Sequence, residues 1–251
     1  MLKESRVSIL VKALPQRSST YGETVCCAGV TEYGDFKRLF PVRFRHLAGT
    51  SKFARWDWVK FKYRTPTRDK RPESCHVLED TIEINGSFPK NERAAFLNRI
   101  VSPSISSAAN EGRSLALIRP ADTQFSYKPK AQSEIDAERQ AFEEAAKQGS
   151  FFDEELASIE PTPYKFRFKF RDGDGPHTFT NGDWESHAMF FNERRRAGSD
   201  QAALDWMDRV YNEQYVRNGM LFCVGNVASR PQTWQLLGVL SVRLEDQATL
   251  L

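Results

Sequence analysis

Tyr164–Arg196 reads YKFRFKFRDGDGPHTFTNGDWESHAMFFNERRR, and its first eight residues fix the character of the region they open. Tyr164, Phe166, Phe168 and Phe170 alternate with Lys165, Arg167, Lys169 and Arg171. Side chains alternate across a strand, so this period of two predicts a β-strand with one aromatic and one cationic face. Asp172, Asp174, His177, Asp183 and Glu185 follow within fourteen residues. A buried aromatic face, an exposed basic face and a polar cluster at the strand end suit a site for an anion or a metal. They suit an ordinary sheet with a solvated face equally well.

Downstream of the strand, Asp172–Asn181 reads as a loop. A helix is expected to begin at Gly182-Asp183, with Asp183 as its N-cap and Trp184, Ala188 and Phe191 on one face. A second helix, Asp200–Val216, carries Ala203, Leu204, Met207, Val210 and Tyr211 at helical spacing, behind a Ser199-Asp200 cap. Strands are expected over Met220–Val224 and Trp234–Val242. The order is then β-α-α-β-β, an α+β module.

Upstream, Ser133–Gln148 has high helix propensity but few apolar positions, so it reads as a solvated acidic helix. Pro129, Pro161 and Pro163 frame it as a linker. The first third is a run of short candidate strands: Arg6–Leu14, Glu23–Thr31, Phe36–Phe44 and Trp56–Arg64. Pro41 inside the third implies an edge or a bulge. Closely spaced strands with little helical pattern point to a small barrel or highly curved sheet. A helix over Lys90–Val101 and a strand over Ser114–Ile118 follow. The expected fold class is α+β: a β-rich, barrel-like domain over 1–128, an acidic helical linker over 129–163 and an α+β module over 164–251.

The chain has 251 residues, 40% hydrophobic and 27% charged, which fits a soluble globular protein. No apolar run nears the roughly 20 residues that span a bilayer. MLKESRVSILVKALP at the N-terminus has no small-residue cleavage site, so a cytoplasmic protein without a membrane partner is expected. Cys26, Cys27, Cys75 and Cys223 lack the paired spacing of a tetrahedral zinc site and read as core residues. Phosphate-binding loops, dinucleotide fingerprints and serine-hydrolase elbows are all missing, which disfavours those chemistries.

Charge is unevenly spread. Lys37–Arg71 holds twelve Lys or Arg against Asp57 and Asp69, whereas Lys130–Glu160 holds three bases against nine acids. Such blocks mark partner surfaces more often than fold requirements. In the basic block, cations interleave with aromatic residues, a combination that holds phosphates and stacks on unpaired bases. Under this reading Arg43, Arg45, Lys60, Lys62 and Arg64 contact phosphates, and Trp56 or Trp58 stacks on a base. The plainer alternative makes the aromatics a barrel core and the cations its solvated outside.

A second reading is a metal-dependent nuclease or phosphodiesterase, with Asp172, Asp174, His177, Asp183 and Glu185 holding Mg²⁺ or Mn²⁺. Against it, Asp-Gly-Asp-Gly-Pro is ordinary turn chemistry, Asp183 is explained as a cap, and no nuclease motif is complete. A third is a protein–protein adaptor whose charged blocks dock on a partner or on a second copy. Arg194, Arg195 and Arg196 suit a helix C-terminus or an extension of a phosphate surface.

YGETVCCAGV, RLFPVRFRHL, RPES and SLALIRP resemble the N-terminal part of a family of uncharacterised prokaryotic proteins. YKFRFKF, the turn with His177, Asp183-Trp184-Glu185, LFCVGN and TWQLLGV resemble its C-terminal part. The resemblance covers most of the chain outside the acidic linker. It implies cysteines in relatives where this chain has Asp172–His177, hence a degenerate metal site here, and a setting among mobile-element or phage-defence genes. It carries no activity and no site residue. The leading expectation is a nucleic-acid-binding protein without catalysis or cofactor, an accessory subunit of a larger system.

Overall fold

The computed structural model of the chain describes residues 1–14, 16–18, 22–24, 27–42, 47, 52–147 and 160–243. The strands of the first third are β1 (Lys3–Lys12), β2 (Gln16–Ser18), β3 (Gly22–Thr24), β4 (Cys27–Val30), β5 (Phe36–Phe40), β6 (Asp57–Arg64) and β7 (Ser74–Ser87). Five of them close a barrel in the order β1-β4-β5-β7-β6, while β2 and β3 form a separate hairpin. All barrel pairs are antiparallel except β5 with β7. A five-stranded closed ring with this order is the Greek-key barrel of the OB type. Val7, Ile9, Cys27, Leu39, Val59, Phe61, Cys75 and Val77 fill its interior. Burial pushes the Cys75 thiol up to about 12, so it packs as an apolar group.

The rest of the chain forms α1 (Lys90–Asn98), β8 (Val101–Ser102), α2 (Ile105–Asn110), β9 (Leu115–Ile118), β10 (Ala121–Pro129), α3 (Gln132–Lys147), β11 (Tyr164–Asp172) and β12 (Gly175–Thr180). Then come α4 (Trp184–Ala197), α5 (Asp200–Arg209), a π-helical turn (Val210–Gln214), α6 (Tyr215–Asn218), β13 (Met220–Val227) and β14 (Arg230–Ser241). A central sheet runs β14-β13-β9-β8, and a second sheet runs β10-β11-β12.

The central sheet is buried on both faces, as the continuous apolar run LALI of β9 requires. Leu115, Leu117, Leu221 and Cys223 pack on the barrel wall at Leu10, Ala28, Val30 and Phe36, with Leu97 of α1. Ala116, Ile118, Phe222 and Val224 face the other way, onto Phe125, Phe166, Phe168, Phe190, Leu204 and Met207. The layers are therefore barrel, central sheet, then α4 and α5 with the three-stranded sheet.

The α+β class and the N-terminal barrel stand as expected. The anticipated division at 128 falls among paired strands: β9 pairs with β13, and β10 with β11. Several local expectations are corrected. Asp172–Asn181 is not a loop, because β12 pairs with β11 around a tight turn at Gly173-Asp174. Pro41 lies just past β5, a strand paired on both sides, so it marks a strand end with a cis Phe40–Pro41 bond and not an edge. The Asp200–Val216 helix is interrupted by the π-helical turn. Gly173 suits its turn because a Cβ there would sit 3.0 Å from the Pro103 carbonyl oxygen.

Candidate nucleic-acid interface

β11 turns its rings inward and its cations outward, with Phe166, Phe168 and Phe170 no more than 2% exposed. The register supplies the rest of the outer face. Gln124, Ser126 and Lys128 of β10 lie opposite Lys169, Arg167 and Lys165. Thr180, Thr178 and Pro176 of β12 lie opposite Arg167, Lys169 and Arg171. Residues directly opposite share a face. The open side of the sheet therefore carries Lys128, Lys165, Arg167, Lys169 and Arg171 among hydroxyl, amide and proline neighbours, with no acid on these register positions.

Among the described residues, acids meet the face only at its ends. Lys165 Nζ donates to Glu134 Oε1 at 2.7 Å, and exposed Asp122 lies 3.8 Å from Arg171. Lys165 holds the Glu134 carboxyl below its ordinary value. Lys128, Arg167 and Lys169 have no carboxylate partner among the described residues. Behind the face, Phe125, Phe166, Phe168 and Tyr211 contact one another with ring centroids 4.9–5.8 Å apart. Burying each such ring contributes about 1.5–3 kcal/mol, so the cations stand on a rigid support.

The residues singled out in the basic block lie on the barrel. Trp58, Lys60, Lys62 and Arg64 share the outer face of β6, with Val59 and Phe61 inside. This face is mixed in sign. Glu4 and Arg6 of β1 oppose Lys62 and Lys60, and Glu83 of β7 also opposes Lys60. Lys60 Nζ lies 3.1 Å from Glu4 Oε1. Arg6 stacks 4.6 Å over the Trp58 ring, which also meets Phe88 at 5.3 Å. Trp56, at φ +76°, has Arg93 over its ring at 4.4 Å and packs beside α1. Arg43 and Arg45 lie outside the described residues.

Of the acidic-histidine group, Asp172, Asp174 and His177 come together, each with one ligand atom within 4.8 Å of the others. Their oxygens are already engaged. Asp172 accepts from the Ile105 and Asp174 amides at 3.0 and 2.8 Å and contacts His177 Nε2 at 2.8 Å. Asp174 accepts from the Ser106 amide at 2.8 Å. The turn thereby caps the start of α2. Burial raises the Asp174 carboxyl, but the Ser106 amide and neighbouring serines outweigh it and hold it below its ordinary value.

Asp183 and Glu185 are elsewhere. Asp183, 1% exposed, caps α4 through the Glu185 amide and accepts two bonds from Arg55 Nη2 at 2.8 and 2.9 Å. The Val239 amide adds a fourth hydrogen bond at 3.0 Å, and Arg55 Nη1 donates to the Val239 carbonyl at 2.8 Å. Burial disfavours the Arg55 charge, but Asp183 and Glu185 outweigh it and hold the guanidinium above its ordinary value. Glu185 pairs with Lys12 at 3.3 Å. Both acids thus tie the barrel to α4 and the central sheet. Arg194–Arg196 close α4: Arg194 bonds Glu160, Arg195 bonds Asn192, and Arg196 bonds Glu193.

OB barrels commonly bind oligonucleotides on the face of their second and third strands. Here those strands are β4 and β5, and most of their outer face is buried, Phe40 at the end of β5 being exposed. Ala28, Val30 and Phe36 lie beneath the central sheet, and Arg38, 3% exposed, donates to the Ser114 carbonyl at 3.1 Å. What the sequence missed is the extent of the β11 face. Its cations were visible, whereas β10 and β12 were not recognised as strands.

A barrel of the OB type, docked through a shared sheet onto an α+β module, is the class that fold and surface define. The chain belongs to the family described as Domain of unknown function (DUF8757), whose model matches residues 103–251. Residues 3–103 match a second model, Domain of unknown function (DUF8758). The junction falls just after β8, which pairs in parallel with β9, so the first segment contributes an edge strand to the sheet of the second. No curated protein matches the chain. Among solved structures it is similar to a chain of "Structure and Conformational Change of a Replication Protein A Heterotrimer Bound to ssDNA", at 11% identity and a TM-score of 0.25. The match covers 96% of this chain and 66% of that one, a superposition too loose to define a shared fold. No helix among the described residues is long and apolar enough to cross a membrane.

Proposed function

We propose that the protein binds nucleic acid without chemistry of its own, as an accessory subunit of a larger system. One observation carries the reading: the row of cations on β11 is extended by Lys128, and no acid sits at its register positions. An interface for a protein partner needs an apolar or aromatic centre, which this face lacks. Protein–nucleic acid interfaces are polar and strongly positive, and Ser, Thr and Gln contact phosphates alongside Arg and Lys. Lys60, Lys62 and Arg64 form a secondary surface whose net charge is reduced by Glu4 and Glu83.

The test is a salt titration of the purified protein against DNA and RNA probes, with and without Mg²⁺. Binding that weakens steeply with salt, with the probe left intact, is expected. Absence of binding at low salt would overturn the reading, and Mg²⁺-dependent cleavage lost in Asp172→Ala would replace it with a nuclease.

A further inference from the structure

Resting on that reading, we infer that the outer face of β10, β11 and β12 takes the backbone of a nucleic-acid duplex irrespective of sequence, in preference to an unpaired strand. Unpaired strands are held by phosphate contacts together with base stacking on exposed rings, at about 1–3 kcal/mol per base. Every aromatic side chain of these three strands lies on the inner face, against the core. A base laid on the outer face meets only cations, hydroxyls, an amide and a proline.

Charge is then the main source of affinity, and charge favours the duplex. A duplex carries one negative charge per about 1.7 Å of axis, against about 3.4 Å for one of its strands. Geometry agrees. Three strands about 4.8 Å apart make a face about 10 Å across, wide enough to touch both backbones beside a minor groove about 6 Å wide. Reading base edges requires an element that enters a groove, and the outer side of this sheet presents only short side chains on β12 and extended cations on β11. Sequence preference is accordingly not expected.

The number of available cations sets the salt dependence. Lys128, Arg167 and Lys169 are available outright, while Lys165 and Arg171 must first leave Glu134 and Asp122. Three to five phosphate contacts give a slope of log K against log salt of about −2.7 to −4.5 on duplex DNA.

The experiment uses the full chain with two duplexes of unrelated sequence, their separated strands and poly-glutamate. Both duplexes are expected to bind alike and at least about tenfold tighter than the single strands. Arg167→Ala and Lys169→Ala should each make the slope shallower by about 0.9, with unchanged thermal unfolding. Single strands binding as tightly as duplexes would overturn the inference and leave nucleic-acid binding intact. A strong preference for one duplex would overturn it too. Poly-glutamate binding as well as duplex would assign the face to an acidic protein, and no nucleic-acid binding at all would remove both proposals.

Discussion

β6 and β11 are written in the same code and make different surfaces. DWVKFKYR and YKFRFKFR both alternate rings or aliphatic groups with cations, and both turn the apolar set into a core. On β6 the neighbours contribute Glu4 and Glu83, and Lys60 sits in an ion pair. On β11 they contribute Lys128, Gln124, Ser126, Thr178 and Thr180. A strand's own sequence decides which side chains face out, but the charge of a sheet face is decided by register with strands remote in the chain. A count of Lys and Arg over the surrounding block therefore points to the wrong face, although the strands themselves carry three such residues on β6 and four on β11. Lys37–Arg71 is the more basic block, yet its most regular strand is the more neutralised.

The comparison can be broken first on the β11 side. Arg167→Glu with Lys169→Glu replaces two available cations with two acids at the centre of the face. Duplex affinity at moderate salt should fall by about a hundredfold or more, read by anisotropy. Both positions stand outside the core, so thermal unfolding should stay unchanged. Retained affinity with a retained fold would move binding elsewhere.

A smaller effect sharpens it from the other side. Glu4→Lys with Glu83→Lys should give the β6 face the sign of the β11 face. Duplex affinity is expected to rise about tenfold, with a steeper salt slope. The pair with Lys60 is exposed and contributes only about 0–1 kcal/mol, so its loss should barely touch stability. No gain in affinity would mean that face sign is not what selects the partner.

The sequence carried the two-faced character of β11, the Asp183 cap of α4 and the apolar stripe of α5, because each is a local pattern with one physical cause. Its failures were also physical. β10 has a single buried position, Phe125, among exposed and half-exposed neighbours, so it shows no clear period. β12 was hidden by its own turn residues, since Asp-Gly-Asp-Gly-Pro signals a loop even when strands flank it. Asp183 reads in the sequence as a cap or as a candidate metal ligand, while its other role depends on Arg55, 128 positions away. Arg55 lies in the basic block, where it is one of the twelve cations counted between Lys37 and Arg71. In the fold it is a buried tie between barrel and module, and removing one partner of such a pair costs about 3–5 kcal/mol. The covering of β4 and β5 by the central sheet was likewise invisible, because it needs the whole topology.

The choice between the two faces is tested most directly by lysine footprinting. The protein is acetylated lightly with and without saturating duplex, and modification at each lysine is read by mass spectrometry. Protection of Lys128, Lys165 and Lys169, with Lys60 and Lys62 modified equally in both samples, is the expected result. Protection of Lys60 and Lys62 while Lys128 and Lys169 stay reactive would contradict it and return the interface to the barrel.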